Sequence, residues 1–294
     1  MQAKATWSIV LAAALWGGIG VFLKLLTAAG LSSMEGVAVR SAVSAILYGL
    51  FLAVTDRKAL LIHPRHWYYF FGTGVCSLVF FNWCYFTTIS QSSMSVAAVL
   101  LYTSPVFVAL LSALFLRERF TAQKASVLLL TFAGCALVTG LFPLGQQHVS
   151  LITLLLGLGS GFGYALYSIF GKFALEKYTP STVTFYTFLF AAVASVPISG
   201  LYRHLHLLVS WKAAAGGLGI GLFCCILPYL LYTAGLQHVE AGKAAILATI
   251  EPFVAALLGI LLFHEEITFF KLLGMAAIFG AVLLLNRPIL KKET

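Results

Sequence analysis

Long apolar runs alternate with short polar connections along the whole chain. A bilayer core of about 30 Å requires roughly 20 helical residues for each crossing. Counted on that template, the runs predict an all-α integral membrane protein with ten transmembrane helices. The predicted spans are 6–28, 34–54, 67–89, 93–115, 123–141, 150–174, 180–201, 213–236, 242–263 and 269–287.

The composition excludes a soluble protein. Of the 294 residues, 61% are hydrophobic and 9% are charged, whereas soluble domains carry about 25% charged residues. The first apolar run continues to about Leu26, which is longer than the core of a signal peptide, so we expect a retained span. The five cysteines lie within apolar runs and no P-loop or HExxH motif occurs. We therefore expect no disulfide framework, no metal site and no cofactor.

The basic residues lie mainly in the connections, where they indicate orientation in the membrane and not a nucleic-acid surface. With the N-terminus inside, twelve Lys and Arg residues face the cytoplasm and three face outward, which predicts that both termini are cytoplasmic. The inner set is Lys4, Arg57, Lys58, Arg65, Arg117, Arg119, Lys124, Lys177, Lys243, Arg287, Lys291 and Lys292, and the outer set is Arg203, Lys212 and Lys271.

The two halves of the sequence repeat at an offset of 147 residues. Eleven positions between 97 and 124 meet the identical residue between 244 and 271. Apolar bias alone would match some Leu and Ala, but it would not also align proline and polar residues. The matched pairs of that kind are Pro105 with Pro252, Glu118 with Glu265, Thr121 with Thr268, and Lys124 with Lys271. The repeat predicts two domains of five helices each, 1–145 and 146–294.

Five crossings in each half require the second half to enter the membrane upside down relative to the first. Such inverted repeats place a substrate site near the bilayer midplane between the halves and expose it alternately to the two sides. The repeat therefore predicts a secondary transporter that works by alternating access.

At the repeated positions the sequence resembles the EamA family of the drug/metabolite transporter superfamily. The first copy reads Y-T-S-P-V-F-V-A-L-L-S-A-L-F-L-R-E-R-F-T at 102–121, and the second reads T-I-E-P-F-V-A-A-L-L-G-I-L-L-F-H-E-E-I-T at 249–268. Ala-Gly at 133–134, Phe-Gly at 279–280 and Trp-Gly at 16–17 also fit the family pattern. The resemblance implies ten helices around a central cavity and movement of small metabolites, often amino-acid export, across a bacterial inner membrane.

Glu251 is the first candidate site residue, and it directly precedes Pro252. It lies roughly 13 Å from the predicted cytoplasmic start of its span, close to the midplane. A carboxylate at the centre of a membrane helix costs about 3 kcal/mol and is tolerated where protein or water surrounds it. Three roles stay open: a proton carrier, a counter-charge for a substrate ammonium, and a structural acid. The first repeat has Ser104 at the matching position.

Two basic residues within the spans are candidates for binding a substrate carboxylate. Arg40 lies about two turns inside the second span, and its paired donors suit a carboxylate; a structural ion pair with Glu35 is the alternative. Lys24 lies near the outer end of the first span and matches Lys172 at an offset of 148. A lysine near a helix end can instead extend to the membrane interface.

Polar and aromatic residues inside the spans are the remaining candidates, because a few polar groups among aromatic rings suit a small organic solute. Trp16 shares a helical stripe with Gly20 and Lys24. Structural packing is the alternative role for each candidate. The other predicted lining residues are Asn82, Tyr85, Tyr102, Tyr164 and Tyr229.

The sequence leaves other functions open. A carrier or scramblase for lipid-linked or amphiphilic drug-like substrates is the main alternative. A channel is another, and a membrane enzyme would have only His264, Glu265 and Glu266 as clustered chemical groups, so no enzymatic activity is expected. The expected partners are a small-molecule substrate and the lipid bilayer, without nucleic acid, and a homodimer is left open.

Overall fold

The computed structural model of the protein describes residues 2–139 and 149–285. Within these residues the structure is helical, with no strand. Ten helical units follow one another along the chain. They are α1 (Gln2–Ala28), α2 (Ser33–Thr55), α3 (Pro64–Gln91), α4 (Met94–Phe115), α5 (Ala122–Val138), α6 (Leu151–Leu175), α7 (Pro180–Ser199), α8 (Trp211–Leu236), α9 (Ala241–Phe263) and α10 (Phe269–Leu285).

Eight units, α1–α4 and α6–α9, are long and apolar enough to cross a bilayer, so the protein is a multi-pass membrane protein. The units α5 and α10 have 17 residues each, or about 26 Å, which is less than the core thickness. The predicted spans 123–141 and 269–287 reach past these helices into residues outside the described ranges. Arg287, Lys291, Lys292 and the predicted domain boundary at 145–146 also lie outside them. Membrane crossing by α5 and α10 stays a prediction.

Serine and threonine side chains fix the beginnings of seven of the described helices. Each accepts a hydrogen bond from a backbone N–H three residues later, which satisfies one of the amides that lack a partner in a first turn. These caps explain why helix ends are well defined in a chain whose apolar pattern is nearly continuous. The capping residues are Ser32, Ser93, Thr121, Ser150, Thr179, Ser210 and Thr268.

The helices pack as two halves related by an approximate two-fold exchange. α2 packs on α7 and α5 packs on α10, so these helices meet their counterparts in the other half. α1 packs against α8 and α9, and its counterpart α6 packs against α3 and α4. Exchanging α1–α5 with α6–α10 leaves the α2–α7 and α5–α10 contacts unchanged and turns the contacts of α1 into those of α6. The packing therefore has the same internal repeat as the sequence.

Irregular backbone also recurs at equivalent positions in the two halves. π-helical segments occupy Gly72–Val79 in α3 and Ile220–Ile226 in α8, and π segments often occur at functional sites. One irregularity is confined to the first half: α1 is interrupted at Gly18 between Gln2–Gly17 and Ile19–Ala28, whereas α6 is continuous. The first helix of each half therefore has a different backbone path.

The helices α4 and α9 break shortly before Pro105 and Pro252, because a proline has no N–H to bond the preceding turn. The break in α4 lies at 102–103 and the break in α9 at Thr249. Threonine hydroxyls satisfy carbonyls in both broken turns. Thr103 Oγ1 donates to the Leu100 carbonyl at 2.6 Å, and Thr249 Oγ1 donates to the Ile246 carbonyl at 2.5 Å.

Glycines in α1 and α6 let these helices approach both breaks closely. A Cβ on Gly17 would lie 2.9 Å from the carbonyl oxygen of Glu251 and 2.8 Å from Cβ of Val254. A Cβ on Gly161 would lie 2.5 Å from Oγ1 of Thr103. The contacts hold α1 against the break in α9, and α6 against the break in α4.

Candidate functional site

A cavity of about 320 Å³ lies among the helices that carry these breaks. Its wall comes from α1, α2, α3, α4, α6, α8 and α9, so both halves contribute. Eight of the nine predicted site residues line it. They are Trp16, Arg40, Asn82, Tyr85, Tyr102, Tyr164, Tyr229 and Glu251.

The acidic side of the cavity is Glu251. It lies in the first turn of the α9 segment Ile250–Phe263, where helix amides favour negative charge. Its side chain is half-buried. Tyr164 of α6 donates its hydroxyl proton to Glu251 Oε2 at a distance of 3.5 Å. Ser104, the repeat counterpart, is buried and lines a small space of about 10 Å³ beside Glu251, which is about the space of one water molecule.

The basic side of the cavity is Arg40, whose side chain is 7% exposed. Within residues 2–139 and 149–285, its Nε and Nη2 atoms have no hydrogen-bond partner. Unpaired buried donors are costly, so a guanidinium that lines a cavity in this state is suited to an anionic group.

The prediction of a structural ion pair between Arg40 and Glu35 is wrong, because Glu35 has other partners. Glu35 completes a capping box with Ser32, accepting the Ser32 N–H at 2.8 Å. Its other oxygen lies 2.6 Å from Nδ1 of His204 in the connection between α7 and α8. The need to cap α2 holds the carboxylate at the helix end, which explains why it does not pair with Arg40 one turn further on.

Aromatic rings form one wall around Trp16. The indole meets the rings of Tyr229 and Tyr232 with centroids 5.2 Å apart, and that of Tyr164 at 6.4 Å. The hydroxyl of Tyr232 makes a 2.7 Å hydrogen bond with Ser168 behind this wall. The wall therefore combines rings that face the cavity with rings that support them from behind.

One face of α3 supplies a second wall. Nδ2 of Asn82 donates to the Leu78 carbonyl at 2.6 Å, which leaves the amide oxygen as the atom able to accept a bond from a ligand. The prediction missed Phe81, Phe86 and Ile89, which line the cavity with Asn82 and Tyr85. Phe86 lies four residues after Asn82 and Ile89 four residues after Tyr85, and this helical spacing is the signal that could have found them.

Lys24 is the one predicted site residue that the structure places outside the cavity. Its side chain is exposed, and its Nζ lies 3.1 Å from the centre of the Phe263 ring at the end of α9. The helical stripe from Trp16 through Gly20 to Lys24 is interrupted, because α1 breaks at Gly18.

A second, wider cavity of about 600 Å³ adjoins the first. It lies where α4 and α10 begin and α5 and α9 end. The two cavities share Tyr85, Met94, Tyr102 and Ala255, so the central cavity continues toward this end of the molecule. Among the described residues no group of three or more His, Cys, Asp or Glu could hold a metal ion.

The family model of EamA-like transporters matches this chain twice, over residues 3–140 and 151–287. The chain belongs to this family. An uncharacterized transporter of Archaeoglobus fulgidus is 32% identical over 200 residues, which cover 68% of this chain and 70% of that protein. The threonine/homoserine exporter RhtA of Escherichia coli K12 is 30% identical over 214 residues, covering 72% of this chain and 68% of RhtA.

The fold of this EamA-like transporter also matches a solved structure. A protein crystal structure superposes with a TM-score of 0.80 over 97% of both chains, at 15% sequence identity. At this identity the match shows a shared fold alone. The family and the relatives together establish a membrane transporter.

Proposed function

We propose that this EamA-like transporter is a secondary carrier for a small zwitterionic, amino-acid-like metabolite. The observation that carries the proposal is that Arg40 and Glu251 line the same cavity of about 320 Å³. That volume is at the lower end of the range for small-molecule pockets. One basic and one acidic side chain in such a space suit a solute that carries both a carboxylate and an ammonium.

In this mechanism the guanidinium of Arg40, which lines the cavity, binds the substrate carboxylate. Its Nε and Nη2 atoms are buried and have no hydrogen-bond partner among the described residues. Glu251 binds the ammonium, or exchanges it for a proton between transport steps. Tyr164 orients the Glu251 carboxylate. The oxygen of Asn82 and the rings around Trp16 contact the rest of the solute. All of these residues act by binding, so no covalent step is needed.

Alternating access through ten helices in two inverted repeats is the transport mechanism we infer. The two-fold exchange of helix contacts supports it, as does the double match to the family. The name of RhtA supports an amino-acid cargo and export as the direction. The basic residues of the connections support cytoplasmic termini in an inner (plasma) membrane.

The test is transport in liposomes of one amino acid and two blocked analogues. N-acetylation removes the ammonium, and amidation removes the carboxylate. We expect the wild type to prefer the zwitterion to both analogues. Glu251→Gln should lose the preference against the N-acetylated analogue, and Arg40→Gln should lose the preference against the amide.

Arg65→Gln is the control, because Arg65 is an exposed residue in the first turn of α3. Equal transport of zwitterion and blocked analogues by the wild type would contradict the proposal. Competition by a membrane amphiphile, without competition by free amino acids, would favour the alternative of a lipid-like cargo.

A further inference from the structure

Glu118 ties the connection after α4 to the first turn of α9. Its two carboxylate oxygens accept hydrogen bonds from the backbone N–H groups of Ala241, at 2.6 Å, and Gly242, at 3.0 Å. Amides of a first helical turn lack intrahelical partners and favour an anion. Beside them Lys124 Nζ lies 2.5 Å from Glu240 Oε2. Two contacts therefore close the molecule at this end, called the Glu118 end below.

The repeat counterpart of Glu118 is Glu265, 147 residues later, and its connection has the same backbone shape. The preceding residues, Arg117 and His264, both have positive φ, 57° and 52°, which is uncommon for residues other than glycine. The following backbone bonds also match. Glu118 N–H donates to the Ser112 carbonyl, and Glu265 N–H donates to the Gly259 carbonyl, at 3.2 and 3.1 Å.

The two glutamates differ in what they contact. Glu265 Oε2 lies 3.0 Å from Nζ of Lys271, and the Glu265 side chain is 50% exposed. Its carboxylate lies against its own helix, since a Cβ on Gly259 would lie 2.6 Å from Oε2. The residues equivalent to Ala241 and Gly242 are Met94 and Ser95 of α4. They line the 600 Å³ cavity together with Glu265.

We infer that Glu118 and Glu265 are paired latches that close the two ends of the transporter in turn. In the present structure the Glu118 end is latched, and the central cavity opens at the Glu265 end through the residues it shares with the wider cavity. In the opposite state Glu265 binds the first amides of α4, and Glu118 releases those of α9. The inference rests on the alternating access proposed above and adds the residues that hold each state.

The test uses two cysteine reporters at repeat-equivalent positions. Ala98 lines the wide cavity, and Ala245, 147 residues later, is 4% exposed. Purified Ala98→Cys and Ala245→Cys proteins are labelled in detergent with a hydrophilic maleimide and no substrate. We expect rapid labelling at position 98 and slow labelling at position 245. The parent protein gives the background from the five native cysteines, of which four are buried and Cys76 is half-buried.

The latch variants should change the labelling rates of the two cysteines in opposite directions. Glu118→Gln, which loses a charge-assisted bond, should raise labelling at 245 about tenfold and lower labelling at 98. Glu265→Gln weakens the other latch, so it should lower labelling at 245 and leave labelling at 98 as fast or faster. The double variant should return both rates toward the parent values.

Glu176→Gln is the matched control, because Glu176 is an exposed acid just past the end of α6. Equal changes at both reporters in either latch variant, or no change, would overturn the inference. Glu265 pairs with Lys271 of α10 in this structure, so Glu265→Gln provides the test even where Glu118→Gln fails to fold. Labelling needs no substrate, so a wrong cargo assignment does not affect the result.

Discussion

The indole of Trp16 stands nearly edge-on to the ring of Tyr229, with centroids 5.2 Å apart and planes at 74°. This contact joins α1 of the first half to α8 of the second at the wall of the central cavity. Both the packing of the halves and the shape of the binding space depend on it. Edge-on aromatic pairs contribute about 0.5–1.5 kcal/mol beyond their buried area.

Trp16→Ala should therefore lower the stability of the protein by about 3–5 kcal/mol, and Trp16→Phe should lower it less. The measurement is the melting temperature of purified protein in detergent. Trp7→Ala is the control in the same helix, because the Trp7 side chain is 71% exposed. A similar loss in both alanine variants would show that Trp16 has no special structural role.

Arg40→Met should separate stability from binding. The substitution removes a buried cation whose Nε and Nη2 are unpaired among the described residues, and apolar replacements of buried charges are often neutral or stabilising. We expect an unchanged or higher melting temperature without substrate. A substrate at 100 times its Kd should stabilise the wild type by about 2.7 kcal/mol and raise its melting temperature. We expect this stabilisation to be lost in Arg40→Met.

The same thermal measurement on Arg65→Met gives the comparison at an exposed site. A large drop in the melting temperature of Arg40→Met without substrate would mean that the guanidinium has a structural partner. The binding role would then be wrong.

Gly17→Ala should push α1 away from α9. The new methyl group would meet the Glu251 carbonyl at 2.9 Å and Cβ of Val254 at 2.8 Å, and such overpacking costs about 1–3 kcal/mol. Gly280→Ala in α10 meets nothing within 4 Å, and should instead stabilise by about 0.5–1 kcal/mol, because alanine favours helix. Equal melting temperatures for the two variants would contradict the close approach.

Lys24→Gln should leave substrate affinity unchanged, because Lys24 lies over Phe263 and not in the cavity. The measurement is Kd from the thermal shift over a substrate titration, with Arg40→Gln measured in parallel. A loss of affinity in Lys24→Gln as large as that in Arg40→Gln would place Lys24 in the binding site.

The sequence predicted the main architecture because its strongest signals are local or periodic. Apolar runs located eight spans, and the offset of 147 residues located the two prolines whose breaks line the cavity. Contacts between distant segments were beyond such signals. Nothing near Glu35 in the sequence indicates that His204, 169 residues later, takes its second oxygen. Lys24 lies outside the cavity because α1 breaks at Gly18. A glycine allows such a break but does not force one, so the sequence could not predict it.

Glu251 and its counterpart Ser104 also bear on energetics. The repeat places an acid on one side of the cavity only, and Arg40 supplies one opposite charge, so the binding space holds equal numbers of positive and negative groups. A zwitterion carried between them moves no net charge across the bilayer. The membrane potential, worth about 2.3 kcal/mol per charge for each 100 mV, then does no work on the cargo. Under the proposed function the concentration gradient of the solute then sets the direction of net flow, and the potential contributes only where Glu251 exchanges a proton, which carries one charge.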